Sequence, residues 1–154
     1  MTSADAIRNL LSRYCELVDA GDSEGLADLL ADADLATLEG HVWGKGREGV
    51  LTAWWPQIRL YEGSPRTQHV TANPLIEVDE EAGTATCRSS YVVFQATPDL
   101  ALQPIITGSY RDSFARSRGH MALYRAPLQH QPEWRPEPAP RRSNRLGASP
   151  PRRA

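Results

Sequence analysis

The 154-residue sequence predicts an α+β fold: three N-terminal helices packed on one face of a curved antiparallel sheet. Three observations support this. Up to about residue 60 the apolar residues recur at three- and four-residue spacing, as one face of a helix requires. From Thr67 onward the pattern becomes extended, with β-branched and aromatic residues in long runs separated by short turn signals. No internal repeat is present, and the length fits one domain with a core of its own.

The first helix covers residues 4–19, with Ala6, Ile7, Leu10, Leu11, Tyr14, Leu17 and Val18 on one stripe. Ser3 or Thr2 can cap its start, because a side-chain oxygen there satisfies an orphan N–H. Gly21 suits the left-handed position that ends it. Asp22 caps a second helix running to Leu30, with Leu26, Leu29 and Leu30 inward, so the two helices form an αα-hairpin. A first strand is expected at Leu35–Glu39, before Gly40. The Gly44–Gly49 stretch lacks the spacing of a phosphate-binding loop and reads as the entry to a third helix, Arg47–Leu60. Val50, Leu51, Trp54, Trp55 and Ile58 face inward there, and Pro56 predicts a kink or an early stop near Trp55. Strands follow at Thr67–Val78, with a bulge at Pro74, then at Thr84–Thr97, Leu102–Arg116 and His120–Tyr124. A sheet curved around helices leaves a cavity at its open end, a natural ligand site.

Composition narrows the function classes. Two cysteines, Cys15 and Cys87, give neither a disulfide framework nor a C-x-x-C pair, and they read as small buried hydrophobes. No apolar run approaches the roughly 20 residues of a membrane span, and the first fifteen residues lack a signal-peptide core, so a cytoplasmic protein is expected. The net charge of −2 averages two unlike pieces. Residues 125–154 hold seven Arg, two Glu and seven of the twelve prolines; residues 1–124 hold 10 basic and 17 acidic residues. The basic stretch is too dilute and too poor in aromatics to predict a nucleic-acid partner.

Four segments resemble a known family. They are Ile7-x-x-Leu10-Leu11-x-x-Tyr14-x-x-x-x-Asp19-Ala20-Gly21-Asp22, Gly46-Arg47-Glu48-Gly49-Val50, His69-x-x-x-Asn73-x-x-Ile76-x-Val78-Asp79 and Gly108-x-Tyr110-x-Asp112-x-Phe114. In this order they resemble the SnoaL-like domains of the nuclear transport factor 2-like superfamily, over roughly residues 5–118. Relatives there include ketosteroid isomerase, scytalone dehydratase and the small subunits of ring-hydroxylating dioxygenases. The resemblance implies a cone-shaped α+β domain, a homodimer, and a mostly apolar pocket for a small hydrophobic molecule. It also implies acid–base chemistry without metal or organic cofactor: isomerisation, dehydration or cyclisation through an enol or enolate. The alternative is a non-catalytic ligand-binding module or a dimeric structural subunit, since one superfold hosts many functions.

Four residues are candidates for catalysis. Tyr14 resembles in place the oxyanion-hole tyrosine of ketosteroid isomerase; it is either a pocket donor or a core aromatic with a bonded hydroxyl. Asp19 resembles an acidic position near the family's pocket mouth; otherwise it bonds local backbone at the helix end. Glu39 is the only carboxylate on the strand where the isomerase keeps its base, and aligning it needs a one-residue shift. His69 shares a strand face with Thr67, Thr71 and Asn73 and can act as acid or base near neutral pH; histidine on the sheet also resembles scytalone dehydratase. Its alternative is an exposed position on the outer face. Trp54, Asn73, Tyr91 and Tyr110 are candidate substrate-binding residues, while Gln95, Gln103 and Asp112 add pocket polarity if the strand register turns them inward. His41, His69, His120 and His130 lack metal-ligand spacing, and no G-x-S-x-G nucleophile elbow occurs.

On this reading residues 1–120 are the SnoaL-like domain and 121–154 a Pro/Arg-rich tail without fixed structure. The family's last strand usually begins Gly-x-Trp-Arg-aromatic, whereas Gly119-His120 leads here into Met121-Ala122-Leu123-Tyr124. Read one base out of frame from Met121, permitted codons give Trp-Arg-Phe-Ile-Glu, an alternating strand. The tail is thus also readable as a frameshifted last strand, which the nucleotide sequence would decide.

Overall fold

A computed structural model describes residues 1–37, 40–117 and 120–130, excepting the side chains of residues 120 and 123–130. Helix α1 spans Ser3–Ala20 and α2 spans Ser23–Leu29. Of the two expected caps it is Thr2 that starts α1: its hydroxyl accepts from the Asp5 amide, and the Asp5 carboxylate accepts from the Thr2 amide, a reciprocal capping box. Gly21 ends the helix at φ +78°, and the Asp22 side chain caps α2 through the Gly25 amide.

Strands β1 (Asp34–Thr37) and β2 (Val42–Lys45) form a hairpin. Gly44 and Lys45, expected in the glycine-rich entry to the third helix, belong instead to β2. Two glycines permit that strand: a Cβ at Gly44 would stand 3.1 Å from the Gly49 Cα, and one at Gly49 2.6 Å from the Gly44 carbonyl carbon. Without side chains at both, β2 can turn at once into α3 (Gly46–Gly49). The third helix is then continuous but not uniform, with a π turn over Val50–Trp54 and a 3-10 turn over Trp55–Gln57. It stops at Gln57 rather than Leu60, since Pro56 offers no N–H to continue the ladder.

Strands β3 (Thr67–Asp79), β4 (Thr84–Thr97), β5 (Leu100–Ser117) and β6 (His120–His130) complete one open six-stranded sheet of order β2-β1-β6-β5-β4-β3. All neighbours are antiparallel except β1 and β6, which run parallel. The strand expected to end at Tyr124 therefore continues to His130. Antiparallel β5 on one side and parallel β1 on the other supply ladder partners that local sequence could not reveal.

The inner face of the sheet meets α1. Along β4, residues Ala85, Cys87, Ser89, Tyr91 and Val93 are buried in strict alternation, and β5 answers with Gly108, Tyr110, Asp112 and Phe114. Ile7, fully buried, joins Ala85, Cys87, Phe114 and Met121; Leu17, Val18, Leu26 and Leu30 pack with Leu35 and Val50. Each such aliphatic side chain contributes roughly 1.5–3 kcal/mol on burial. No described helix is long and apolar enough to cross a membrane.

Candidate functional site

Helix α1 and strand β3 cross with polar side chains between them. Asp19, near the C-terminal end of α1, receives three hydrogen bonds from β3. The Thr67 hydroxyl donates to Oδ1 at 2.8 Å, the His69 backbone N–H to Oδ2 at 2.8 Å, and the His69 Nδ1–H to Oδ1 at 2.6 Å. The histidine and aspartate side chains are 13% and 15% exposed. The expected inward face of β3 is thus correct for Thr67, His69 and Thr71. Asp19 bonds the strand rather than its own helix end.

The His69 ring meets the Tyr14 ring edge-on, with centroids 6.3 Å apart. Tyr14 in turn stacks on Trp54 at 5.9 Å and meets the Tyr110 ring edge-on, with centroids 6.4 Å apart. Burial holds both phenols well above their ordinary pKa, so both hydroxyls remain neutral. Tyr91 stacks behind Tyr110 at 4.3 Å and steadies that ring from the sheet.

Tyr14, Trp54 and Tyr110 line an apolar cavity of about 50 Å³, with Leu29, Leu35, Trp43 and Phe114 among its other walls. One carboxyl lines it. Asp112 is 5% exposed, no donor among the described residues hydrogen-bonds its carboxyl, and burial pushes its pKa up to about 7. The sequence reading gave Asp112 only a contribution to pocket polarity. The alternation Tyr110-x-Asp112-x-Phe114 was the available signal, since a carboxylate between two aromatics on one strand face must share their burial.

His69 and Asp19 face a second, broader space. This groove between α1 and β3 measures about 680 Å³ and is lined also by Arg8, Ser12, Cys15, Glu16 and Gln68. Thr71 and Leu11 belong to both spaces.

Two expected site residues are not part of this arrangement. Asn73 is exposed, at φ +54°, because the bulge between Ala72 and Leu75 breaks the alternation and turns it from the inner face. Glu39 lies outside the described residues. Among the described residues, no group of three His, Cys, Asp or Glu side chains could hold a metal ion.

No curated protein matches the sequence significantly. Among solved structures, the chain is similar to a Mycobacterium tuberculosis protein of unknown function, at 25% identity and TM-score 0.67, over 83% of this chain and 71% of that one. A candidate scytalone dehydratase from Novosphingobium aromaticivorans is 20% identical with TM-score 0.63, over 84% of this chain and 85% of its own. The β subunit of a candidate aromatic-ring-hydroxylating dioxygenase from the same organism is 19% identical with TM-score 0.63, over 83% and 88%. These last two likenesses are of fold. Residues 1–125 match the family model of the SnoaL-like domain, and the chain belongs to that family.

Proposed function

We propose that this protein is a cofactor-independent acid–base catalyst, a dehydratase, cyclase or isomerase, acting on a small hydrophobic substrate. The observation that carries the reading is the Asp19–His69 pair. A carboxylate can only accept, so the 2.6 Å bond requires the proton on Nδ1, and in the neutral ring the lone pair is then on Nε2. His69 is then an oriented base, and the imidazolium formed when it takes a proton stays beside a carboxylate.

In the proposed reaction Nε2 removes a proton next to a substrate carbonyl, and the C–H electron pair moves into an enolate. The neutral hydroxyls of Tyr14 and Tyr110 supply hydrogen-bond donors for the charge that develops on oxygen, inside a wall of low polarity. Asp112, whose pKa burial pushes up to about 7, supplies a third in its protonated form. His69 then returns the proton, to carbon in an isomerisation or to a departing hydroxyl in a dehydration. Assembly as a homodimer belongs to this reading, with exposed Val70 and Leu75 of edge strand β3 offering apolar surface.

The test is turnover of β-hydroxy ketones and cyclic β,γ-enones, followed through the absorbance of the conjugated product. His69→Ala should lower kcat by roughly 100-fold or more, and Asp19→Asn should lower it while changing the pH profile. Unchanged turnover in His69→Ala refutes the role of His69. A second reading, a binding module without turnover, is favoured by the narrowness of the cavity. Saturable ligand binding without product would select it.

A further inference from the structure

His69 and Tyr14, adjacent by ring distance, face different spaces: one lines the groove, the other the cavity. What separates these spaces is small. Side chains four apart on α1, Leu11, Cys15 and Asp19, share one face, as do Thr67, His69 and Thr71 on β3. Helix and strand therefore meet as rungs: Asp19 against Thr67 and His69, then Cys15 Sγ against Thr71 Oγ1 at 3.5 Å. Thr71 is the last inner-face residue of β3 before the Ala72–Leu75 bulge; Pro74 beyond it lines the groove but not the cavity, so Thr71 is the described β3 residue that borders both. Burial pushes the Cys15 thiol's pKa up, which keeps it a neutral packing group rather than a nucleophile.

We infer that Thr71, seated against Cys15, is the specificity-determining residue of this pocket. Its side chain, with that of Leu11 opposite on α1, is the partition between groove and cavity, and its volume restricts ligands that touch both His69 and Tyr14 to single rings. The inference rests on the proposed pocket being the substrate site, but its test reads binding and not turnover.

The experiment measures the affinities of phenol and 1-naphthol by calorimetry for the wild type and for Thr71→Ala, Thr71→Val and Cys15→Ala. Circular dichroism checks the fold of each variant. The wild type should prefer phenol. Thr71→Ala should shift the ratio toward 1-naphthol by about tenfold or more, the scale that a group of this size carries in a tight pocket. Thr71→Val, which keeps the volume and removes the hydroxyl, should leave the ratio as in the wild type. Cys15→Ala, which releases Thr71 from the helix side, should shift it in the same direction but less, and it stands in if the strand variant does not fold.

An unchanged ratio in both Thr71→Ala and Cys15→Ala overturns the inference. So does an equal shift in Thr71→Val, or no phenol binding to the folded wild type at millimolar concentration. Loss of turnover in His69→Ala beside unchanged binding ratios would overturn the partition and leave the catalytic reading intact. Shifted ratios beside undiminished turnover in His69→Ala would do the reverse.

Discussion

Replacing Asp112 with asparagine isolates the energetic consequence of one buried carboxyl. Unfolded, this group ionises at its ordinary value of 3.8; folded, burial moves it to about 7. Between those values the folded chain holds a proton that the unfolded chain has released. Its contribution is therefore fully present below pH 3.8, declines as pH rises toward 7, and is flat above. The full swing corresponds to about 4 kcal/mol, an upper figure because water that reaches the group would reduce it. Asparagine keeps the shape and has no charge to bury, so the difference between variant and wild type isolates this one group. In urea unfolding at fixed pH from 4 to 9, the stability of Asp112→Asn relative to the wild type should rise by up to about 4 kcal/mol between pH 4 and 8. Any fixed cost of accommodating the amide shifts that curve without changing its shape. Parallel pH profiles for the two proteins would refute the reasoning, because they would mean that the carboxyl ionises as freely folded as unfolded.

Three further outcomes follow from the packing. Tyr14→Leu and Tyr110→Leu, alone and combined, should yield a coupling of about 1 kcal/mol in a double-mutant cycle of urea stabilities, since the two rings meet edge-on at 6.4 Å. Gly21→Ala should lower the thermal midpoint more than Gly63→Ala. Both have left-handed φ, +78° and +86°, but only at Gly21 does an added Cβ meet a carbonyl oxygen, that of Gly63 at 2.5 Å; the backbone term alone is about 1–2 kcal/mol. Arg47→Ala breaks exposed ion pairs to Glu24 and Asp28 and should cost less than about 1 kcal/mol, a loss that disappears in 1 M salt.

How much was legible beforehand depended on how local the cause was. The stop of α1 at Gly21, the Asp22 cap and the early end of the third helix at Pro56 each rest on residues within one turn of the event. Strand β2 was hidden because Gly44, Gly46 and Gly49 look like a loop in one dimension; the close approach of Gly44 to Gly49 makes them a strand-to-helix corner in three. The length of β6 was hidden for a related reason. Arg125 and Pro127 signal a tail, yet residues 125–128 pair with β1, nearly a hundred residues upstream. Residues 131–154, and with them most of the Pro/Arg-rich stretch, lie outside the described residues.

In the site, periodicity put Tyr14 on the buried stripe of α1 and gathered Thr67, His69 and Thr71 on one face of β3, because side-chain direction follows from helix and strand geometry. It left open whether that face turns inward. The same reasoning failed at Asn73, where one bulge reverses the parity of everything after it. The bond between Asp19 and His69 spans fifty positions, and no local pattern contains it. Asp112 was visible as a residue, but its lack of a donor among the described residues is a property of what surrounds it. The sequence by itself determined the α+β class, the caps and which residues share a face, since these depend on neighbours a few residues away. Only the tertiary structure decided which carboxylate bonds the histidine, which one burial pushes up to about 7, and that Thr71 borders both groove and cavity. Those properties arise where helix and sheet exclude water together.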